Sequence, residues 1–411
     1  VKNILYMSKI VMKFGGTSVA DTDRISHVAS IIRAKIDQNH KIAVVVSAMA
    51  GVTNDLIQKS KKISDSFPGN EYDALLSSGE QVTATLLAAA LQKLGIKSRS
   101  WLGWQIPIVT EGDHKNSRII SVNSRVLNDC IDQDIVPIIP GFQGLTEGNR
   151  ISTIGRGGSD ASAVAIAKCL EADFCEIYTD VDGVFTTNPD LESKAKKIEK
   201  ISYEEMLEMA SLGAKVMQSS SVQKAMINDV DIYVKSTFSN NSGTKIGSQD
   251  KISYDKVITG VAYSSDDAKV TLQGVKDKPG VASSIFKPLY ENNIVVDMIV
   301  QNISADNSKT DVTFTIKRDD LKKTTLVLEK LKEQLNFDKL LTDGNVSKIS
   351  IVGAGMITHP GVAYRMFDAL SSKKINIMVI STSEIKISVL IDEKNTKEAV
   401  KTIHQIFELD K

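Results

Sequence analysis

A short internal repeat in the C-terminal part is the feature that most constrains how this chain can fold. The segment Lys278-Pro279-Gly280-Val281-Ala282 returns as His359-Pro360-Gly361-Val362-Ala363, and the apolar positions after it stay in register. These positions pair as Phe286 with Phe367, Leu289 with Leu370, and Ile294 with Ile375. Each copy reads as strand, Pro-Gly turn, helix and two further strands, which predicts a ferredoxin-like βαββαβ unit twice.

The repeat therefore predicts two small α+β domains, at residues 258–340 and 341–411. The strand predicted at 258–263 is free to pair with the second of them. Two small units that merely dimerise carry the same pattern and are the structural alternative.

The first part of the chain alternates short β-branched runs with longer helical patterns. The predicted strands are 10–14, 41–46, 136–139, 174–178 and 232–235, and the clearest predicted helices are 24–36 and 71–94. Strands separated by helices pair in parallel through right-handed crossovers, and ligands bind at their C-terminal ends. We expect an α/β domain over residues 8–250, with three αβα layers around a mostly parallel sheet.

The first predicted strand ends in Lys13-Phe14-Gly15-Gly16-Thr17-Ser18. Glycines let the backbone approach a polyphosphate closely, and a lysine adds a mobile positive charge. The lysine comes before the glycines, so the segment matches neither the Walker loop nor the dinucleotide fingerprint. Taken alone, it is more often an ordinary turn between a strand and a helix.

A second glycine-rich segment, Gly155-Arg156-Gly157-Gly158-Ser159-Asp160, opens a helix predicted at 161–170. Such a backbone entering a helix N-terminus can bind an anion, and Arg156 offers a planar fork for a carboxylate. Asp160 has two interpretations. It is a favourable partner of the helix dipole, or, if it lies near Lys13, it holds that ammonium in place.

Two more segments offer small or polar side chains near strand or helix ends. The segment 47–54 provides hydroxyls without bulk, although Thr53 or Asn54 could simply cap a helix. The segment 77–80 interrupts the helical pattern, and Glu80 in it can pair with a ligand ammonium or be a solvated side chain.

Two later segments complete the set of candidates. The segment 178–190 is long enough to wrap a nucleotide, but its Asp-Gly and Asn-Pro pairs are also common turn signals. A second lysine, Lys215, follows a helix whose start carries the capping box Ser202-x-x-Glu205.

Composition excludes several classes of protein. Lys+Arg and Asp+Glu both number 50 among 411 residues, so no net charge attracts nucleic acid or an acidic membrane. The three cysteines form no C-x-x-C pair and the five histidines show no ligand spacing, so we expect neither disulfides nor a protein-ligated metal. No apolar run approaches the ~20 residues that span a bilayer. A cytoplasmic protein with small-molecule partners is the expectation.

In this order and spacing, the segments resemble the aspartate kinases of the amino-acid kinase family, and the C-terminal repeat is similar to the paired ACT domains that regulate them. The resemblance covers essentially residues 8–411. It implies transfer of the ATP γ-phosphoryl group to the β-carboxylate of L-aspartate, giving 4-phospho-L-aspartate, the first step of lysine, threonine and methionine biosynthesis. A carboxylate is already ionised at neutral pH, so the reaction needs no catalytic base. Mg²⁺ is expected with ATP, bound mainly through the phosphates.

The resemblance also implies roles for individual residues. The implied catalytic residues are Lys13, Asp160 and Lys215. The implied aspartate-binding residues are Thr53, Glu80, Phe142, Arg156 and Ser159. The implied nucleotide-binding residues are Lys13, Gly15, Gly16, Ser18, Thr179, Asp180, Phe185 and Lys215.

Paired ACT domains imply feedback inhibition by an amino acid, most commonly lysine, with threonine as the alternative. Effectors of this family sit between ACT units of two subunits, so a homodimer or a dimer of dimers is implied. The candidate effector residues are Asp277, Gly280, Val281, Ala282, Asp297, Met298, Ser381, Thr382, Ser383 and Glu384.

The chain departs from the family pattern at three points. Phe185 stands where many relatives have tyrosine, Gln218-Ser219-Ser220 follows the second lysine, and Lys235 stands where arginine is usual, which would alter a domain contact. Two alternative functions stay open. One is a related kinase acting on glutamate or an acylated glutamate, and the other is a non-catalytic amino-acid sensor.

Overall fold

The computed structural model describes residues 7–213, 216–251, 256–303 and 309–411, and it forms two compact units. The first unit contains residues 7–184, 197–211 and 216–251. The second contains residues 185–196, 212–213 and the described residues from 256 onward. Two short segments within 8–250 therefore cluster with the C-terminal half of the chain.

The first unit is built on two β-sheets. Its strands are β1 (Lys9–Phe14), β2 (Lys41–Val46), β3 (Ser98–Ser100), β4 (Ile108–Glu111), β5 (Arg118–Val122), β6 (Val136–Pro140), β7 (Gln143–Leu145), β8 (Ile151–Thr153), β9 (Phe174–Thr179), β10 (Lys200–Ser202), β11 (Ile232–Ser236) and β12 (Thr244–Gly247). Eight of them form one sheet in the order β10-β12-β11-β9-β1-β2-β6-β3, and the other four form a sheet in the order β5-β4-β7-β8.

The helices of the first unit lie between these strands in the chain. They are α1 (Thr22–Asp37), α2 (Val52–Ile63), α3 (Gly69–Lys93), α4 (Arg125–Asp132), α5 (Gly158–Cys169), α6 (Tyr203–Ser211) and α7 (Ser219–Asn228). On α1, buried Ile25, Val28 and Ile32 form one apolar stripe that joins the core around β1 and β2.

The large sheet is parallel except where β11 meets β12. In its centre Lys13 of β1 pairs with Val45 of β2 and with Ile177 of β9. Because these strands run in parallel, their carboxyl ends lie at the same edge, as the strand and helix pattern predicts. The α/β fold class is confirmed, whereas the small four-stranded sheet has no counterpart in the sequence prediction.

Helix α3 runs without a break through residues 77–80, so the predicted interruption there is wrong. A Cβ on Gly79 would lie 2.9 Å from the Cβ of Ala48. The glycine therefore serves close packing of α3 against the loop after β2 and does not end the helix. By length and composition α3 could cross a membrane, but half of its apolar stretch is buried within the unit, as in the core helix of a globular domain.

The second unit contains two four-stranded sheets. Its strands are β13 (Gly260–Ser264), β14 (Asp267–Lys276), β15 (Val296–Ile303), β16 (Lys309–Lys317), β17 (Lys339–Asp343), β18 (Val346–Val352), β19 (Val379–Thr382) and β20 (Lys386–Asp392). Its helices are α8 (Val281–Glu291), α9 (Leu321–Lys330), α10 (Lys332–Leu335), α11 (Val362–Ser372) and α12 (Thr396–Ile406).

The two repeats fold alike, each with helices beside an antiparallel sheet. The sheets run β15-β16-β14-β17 and β13-β18-β20-β19. Strand β13 lies before both repeats in the chain and pairs with β18, so it supplies the fourth strand of the second sheet. The repeated turns match in backbone conformation, since Gly280 and Gly361 both precede a helix with φ near +90°. The positive φ explains why each turn carries glycine.

Candidate active site

A cavity of about 710 Å³ opens at the carboxyl ends of the central strands, entirely within the first unit. We call it the central cavity. Segments after β1, β2 and β6, one face of α3 and the turn into α5 line it. Eight of the residues expected from the sequence lie on its wall: Lys13, Gly16, Thr53, Glu80, Phe142, Arg156, Ser159 and Asp160.

A buried ion pair forms one wall of the central cavity. The Nζ atom of Lys13 lies 2.6 Å from Oδ1 of Asp160, and both residues are buried. Asp160 therefore holds the lysine ammonium and is more than a partner of the helix dipole. Breaking such a pair strongly destabilises a protein, because the remaining charge stays buried without compensation.

The turn into α5 carries the candidate anion site. Helix α5 begins at Gly158, earlier than the predicted 161, and Gly157 precedes it with φ +74°. A Cβ on Gly158 would lie 2.8 Å from the ring of Phe142, so only glycine lets the turn pack there. Arg156 is exposed and lines the central cavity, where its guanidinium can receive a carboxylate.

Glu80 is buried in the cavity wall, with 4 % of its surface exposed, so the interpretation as a solvated side chain is wrong. Burial raises the pKa of Glu80 to about 7, although hydrogen bonds from the backbone of Ala48 and of Glu80 itself oppose the rise. Among the described residues its Oε2 atom has no hydrogen-bond partner. A buried carboxylate in this state can accept an ammonium group.

The glycines after β1 act partly through protein packing. A Cβ on Gly16 would lie 2.9 Å from the carbonyl oxygen of Ala48, so the two loops touch directly. Ser18 does not line the central cavity: its hydroxyl is buried and lies 2.6 Å from the hydroxyl of Thr237. Gly15 also lies off the wall, and its N–H donates to Tyr178. Ser18 and Gly15 therefore brace the loop.

Three further residues expected to bind the nucleotide, Thr179, Asp180 and Phe185, are not on the wall of the central cavity. Thr179 ends β9, and its hydroxyl donates to the exposed carboxylate of Asp180 at 3.2 Å. Phe185 belongs to the second unit. Lys215 lies outside the described residues.

The segment 47–54 forms the start of α2 in a different way from the one expected. The helix begins at Val52, and Gly51, with φ +84°, is its cap in place of Thr53 or Asn54. This leaves Thr53 and Asn54 on the wall of the central cavity. The capping box at Ser202 and Glu205 is present, with both reciprocal hydrogen bonds at 3.2 Å.

Lys235 forms an ion pair within the first unit. Its ammonium lies 2.6 Å from Glu176, and Lys35 approaches the same carboxylate at 2.8 Å. Burial alone would raise the pKa of Glu176, but the two lysines hold it below its ordinary value.

The expected effector residues are spread over both repeats of the second unit. Gly280 precedes α8, Val281 is buried, and Ala282 is exposed. Asp277 is half-buried in the turn before α8. Ser381 and Thr382 end β19, and Ser383 and Glu384 form the exposed turn to β20.

Asp297 and Met298 connect the two repeats. The Asp297 carboxylate receives the ammonium of Lys348 at 2.6 Å, and Met298, with φ +46°, packs in a cluster that includes Val379 and Leu390. The carboxylate of Asp297 is thus already paired within the unit. Burial raises the pKa of Asp297, and Lys348 more than offsets this and leaves the pKa below its ordinary value.

Sequence reasoning missed several residues of the central cavity. Tyr72, Lys115 and Thr153 line its wall, and the buried carboxylate of Asp73 bonds to the last two. The signal was the spacing of Asp73 and Glu80 on α3, which puts both on the apolar face of that helix.

Comparison with known proteins agrees with this architecture. The sequence pattern of the amino acid kinase family matches residues 8–236, and that of the ACT domain matches residues 270–331 and 349–407. An aspartate kinase of Stutzerimonas stutzeri is 46% identical over 405 residues, 98% of each chain.

Two solved structures of E. coli aspartokinase III share the fold at 23% identity. The complex with aspartate and ADP (R-state) superposes with a TM-score of 0.80, covering 97% of this chain and 100% of that one. The complex with lysine and aspartate (T-state) superposes with a TM-score of 0.75, covering 97% of this chain and 99% of that one.

The fold is that of a small-molecule phosphotransferase with C-terminal regulatory domains. The chain belongs to the amino acid kinase family, within its aspartate kinases that carry C-terminal ACT domains. It is therefore a nucleotide-using kinase whose acceptor is a carboxyl group.

Proposed function

We propose that this enzyme transfers the γ-phosphoryl group of ATP to the β-carboxylate of L-aspartate. The observation that carries the proposal is the pairing of two opposite groups in one cavity. Within the part of the chain that the structure describes, one carboxylate oxygen of buried Glu80 has no hydrogen-bond partner, and Arg156 presents a guanidinium. An amino acid needs one anionic and one cationic partner for its zwitterionic end.

The proposed mechanism relies on charge neutralisation and alignment. The aspartate β-carboxylate is ionised and attacks directly, so no side chain has to remove a proton. Lys13 neutralises charge on the transferring phosphoryl group, and Asp160, 2.6 Å away, fixes the direction of its ammonium. Lys215 is proposed to act from the opposite side.

The remaining roles follow the lining of the cavity. Thr53, Phe142 and Ser159 are proposed to complete the aspartate pocket. For the nucleotide, we propose that Gly16, on the wall, approaches the phosphates, while Thr179, Asp180 and Phe185 bind adenosine and ribose. Gly15 and Ser18 are proposed to support this loop from behind.

Magnesium is proposed to arrive with ATP. No three His, Cys, Asp or Glu side chains come together as a metal site within the described ranges, and Asp160 is engaged by Lys13. This donor set fits an ion held mainly by phosphate oxygens and water. When bound, the ion neutralises phosphate charge.

We further propose that an amino acid regulates the enzyme through the ACT domains, with lysine as the leading candidate and threonine as the alternative. The lysine complex of E. coli aspartokinase III supports the idea that a protein of this fold can take such an effector. The proposed assembly is a homodimer or a dimer of dimers. The effector must favour a conformation in which the ATP or aspartate site is disrupted.

A substrate panel tests the proposal. Acyl phosphate formation is measured with ATP and Mg²⁺ and with L-aspartate, L-glutamate or N-acetylglutamate, and then with added lysine or threonine. Turnover of aspartate with inhibition by one of the two amino acids is the expected result. Turnover of glutamate or N-acetylglutamate without aspartate would refute the substrate assignment.

A further inference from the structure

A buried carboxylate on α3 ties one loop at the mouth of the central cavity to the end of strand β8. Asp73 has no exposed surface, and it accepts three kinds of hydrogen bond. They come from Nδ1 of His114 at 2.6 Å, the backbone N–H of Lys115 at 3.1 Å and the hydroxyl of Thr153 at 2.6 Å. The backbone N–H of Lys115 can only donate, and the hydroxyl of Thr153 and the ring nitrogen of His114 lie within hydrogen-bond distance of the same carboxylate.

The loop that carries His114 and Lys115 is packed on both sides. A Cβ on Gly69 would lie 2.9 Å from the Cβ of His114, and one on Gly155 would lie 2.7 Å from Oδ1 of Asn116. The loop therefore touches the start of α3 and the turn before α5 directly. It is a fixed part of the cavity mouth.

Lys115 occupies this loop in an unfavourable backbone conformation. Its φ is +72°, a region that costs free energy for a residue with a side chain. The side chain is exposed, lines the central cavity and puts its ammonium 4.5 Å from the centre of the Tyr72 ring. The hydrogen bonds to Asp73 hold the strained residue there.

The distance between Tyr72 and Glu80 along α3 indicates what the Lys115 ammonium can do. Tyr72 and Glu80 both line the cavity, and just over two turns of helix, about 12 Å, separate them along the axis. An extended aspartate whose ammonium binds Glu80 is shorter than this separation. A cation beside Tyr72 therefore acts on the substrate before the substrate ammonium binds Glu80.

We propose that Lys115 is a capture residue, which draws the anionic amino-dicarboxylate substrate into the central cavity, and that Asp73 is the positioning residue that holds Lys115 at the mouth. This inference rests on the proposed function. Aspartate carries one net negative charge at neutral pH, so a cation at the mouth raises its local concentration. The effect falls on substrate entry and leaves phosphoryl transfer unchanged.

Lys115→Gly tests the capture role without disturbing the loop, because glycine accepts the positive φ. We expect the KM for aspartate to rise about threefold to fivefold at low ionic strength, with kcat unchanged and no loss of melting temperature. In about 1 M salt the difference disappears, because charges are then screened within about 3 Å. Lys115→Arg keeps the charge and retains the wild-type KM.

Lys374→Gly is the matched control. Lys374 is also an exposed lysine with positive φ, +58°, and lies in the second unit, so its replacement removes the same charge. Its KM should equal that of the wild type. A wild-type KM for Lys115→Gly at low salt, a lower kcat, or a KM increase that persists in salt would overturn the capture role. A wild-type enzyme inactive with aspartate would instead overturn the proposed function.

Discussion

Glu80→Gln should stabilise the first unit in alkaline solution and not in acid. The carboxyl group is buried, and its pKa is raised from 4.5 to about 7. The unfolded chain loses this proton first, so burial of the ionised carboxylate lowers stability as pH rises from about 4.5 through about 7, and the full cost persists above that range. At about 1.36 kcal/mol per pKa unit, the difference between the pKa values of the unfolded and folded chain costs about 3 kcal/mol of stability.

Urea unfolding followed by tryptophan fluorescence measures this effect. Both tryptophans, Trp101 and Trp104, lie in the first unit, so their signal reports on that unit. Glu80→Gln should gain up to about 3 kcal/mol over the wild type at pH 8 and less than about 1 kcal/mol at pH 5.

Glu71→Gln is the control on the same helix, because Glu71 is more than half exposed. Its effect on stability should be small, because an exposed ion pair such as that of Glu71 with Arg150 contributes little. If Glu80→Gln changed the unfolding free energy by the same amount at pH 5 and pH 8, the assignment of a raised pKa to a buried Glu80 would be refuted.

The remaining predictions concern three other buried charged or polar groups. Lys13→Met should lower kcat per folded molecule about 10²- to 10³-fold in the acyl phosphate assay, because the transferring phosphoryl group loses its cation. Glu176→Gln should lower the unfolding free energy of the first unit by about 3–5 kcal/mol in urea, because Lys35 and Lys235 lose their buried partner. Burial lowers the pKa of His404, so the unfolded chain binds the proton first and calorimetry should show the second unit losing stability as pH falls below 6.5.

Each of these three predictions has its own check. Lys41→Met, on the neighbouring strand β2, should keep kcat, and a similar loss for both lysine variants would argue against a specific role for Lys13. Activity per folded molecule should survive Glu176→Gln, since Glu176 does not line the central cavity. His404→Gln should remove the acid sensitivity, and an unchanged pH profile would contradict that assignment.

The sequence predicts the elements whose pattern is local. The repeat predicts α8, α11 and both glycine turns, and the β-branched runs predict β1, β2 and β9. Gly79 is different: a glycine after two serines reads as a break, but its missing Cβ lets α3 pack on Ala48. Helix propensity alone cannot tell a glycine that ends a helix from one that allows close packing, because the packing partner comes from a distant segment of the chain.

The candidate site could be predicted as a set of residue types but not as a geometry. The separation of Lys13 and Asp160 in the chain gives no sign of their contact, which arises when α5 packs beside β1. Ser18 carries a hydroxyl of the kind that binds phosphate, yet this hydroxyl is hydrogen-bonded to the hydroxyl of Thr237 inside the unit. Asp73 resembles a surface residue until its place on the apolar face of α3 is considered.

Selectivity for the substrate ammonium group tests the central claim most directly. Succinate is aspartate without its amino group, and kcat/KM for the two acids is compared at pH 8, where Glu80 is largely ionised. The wild type should prefer aspartate about 10- to 100-fold, from a charged hydrogen bond of about 1.5–3 kcal/mol. Glu80→Gln should reduce this preference to about threefold or less. Equal use of both acids by the wild type, or an unchanged preference in the variant, would contradict the account.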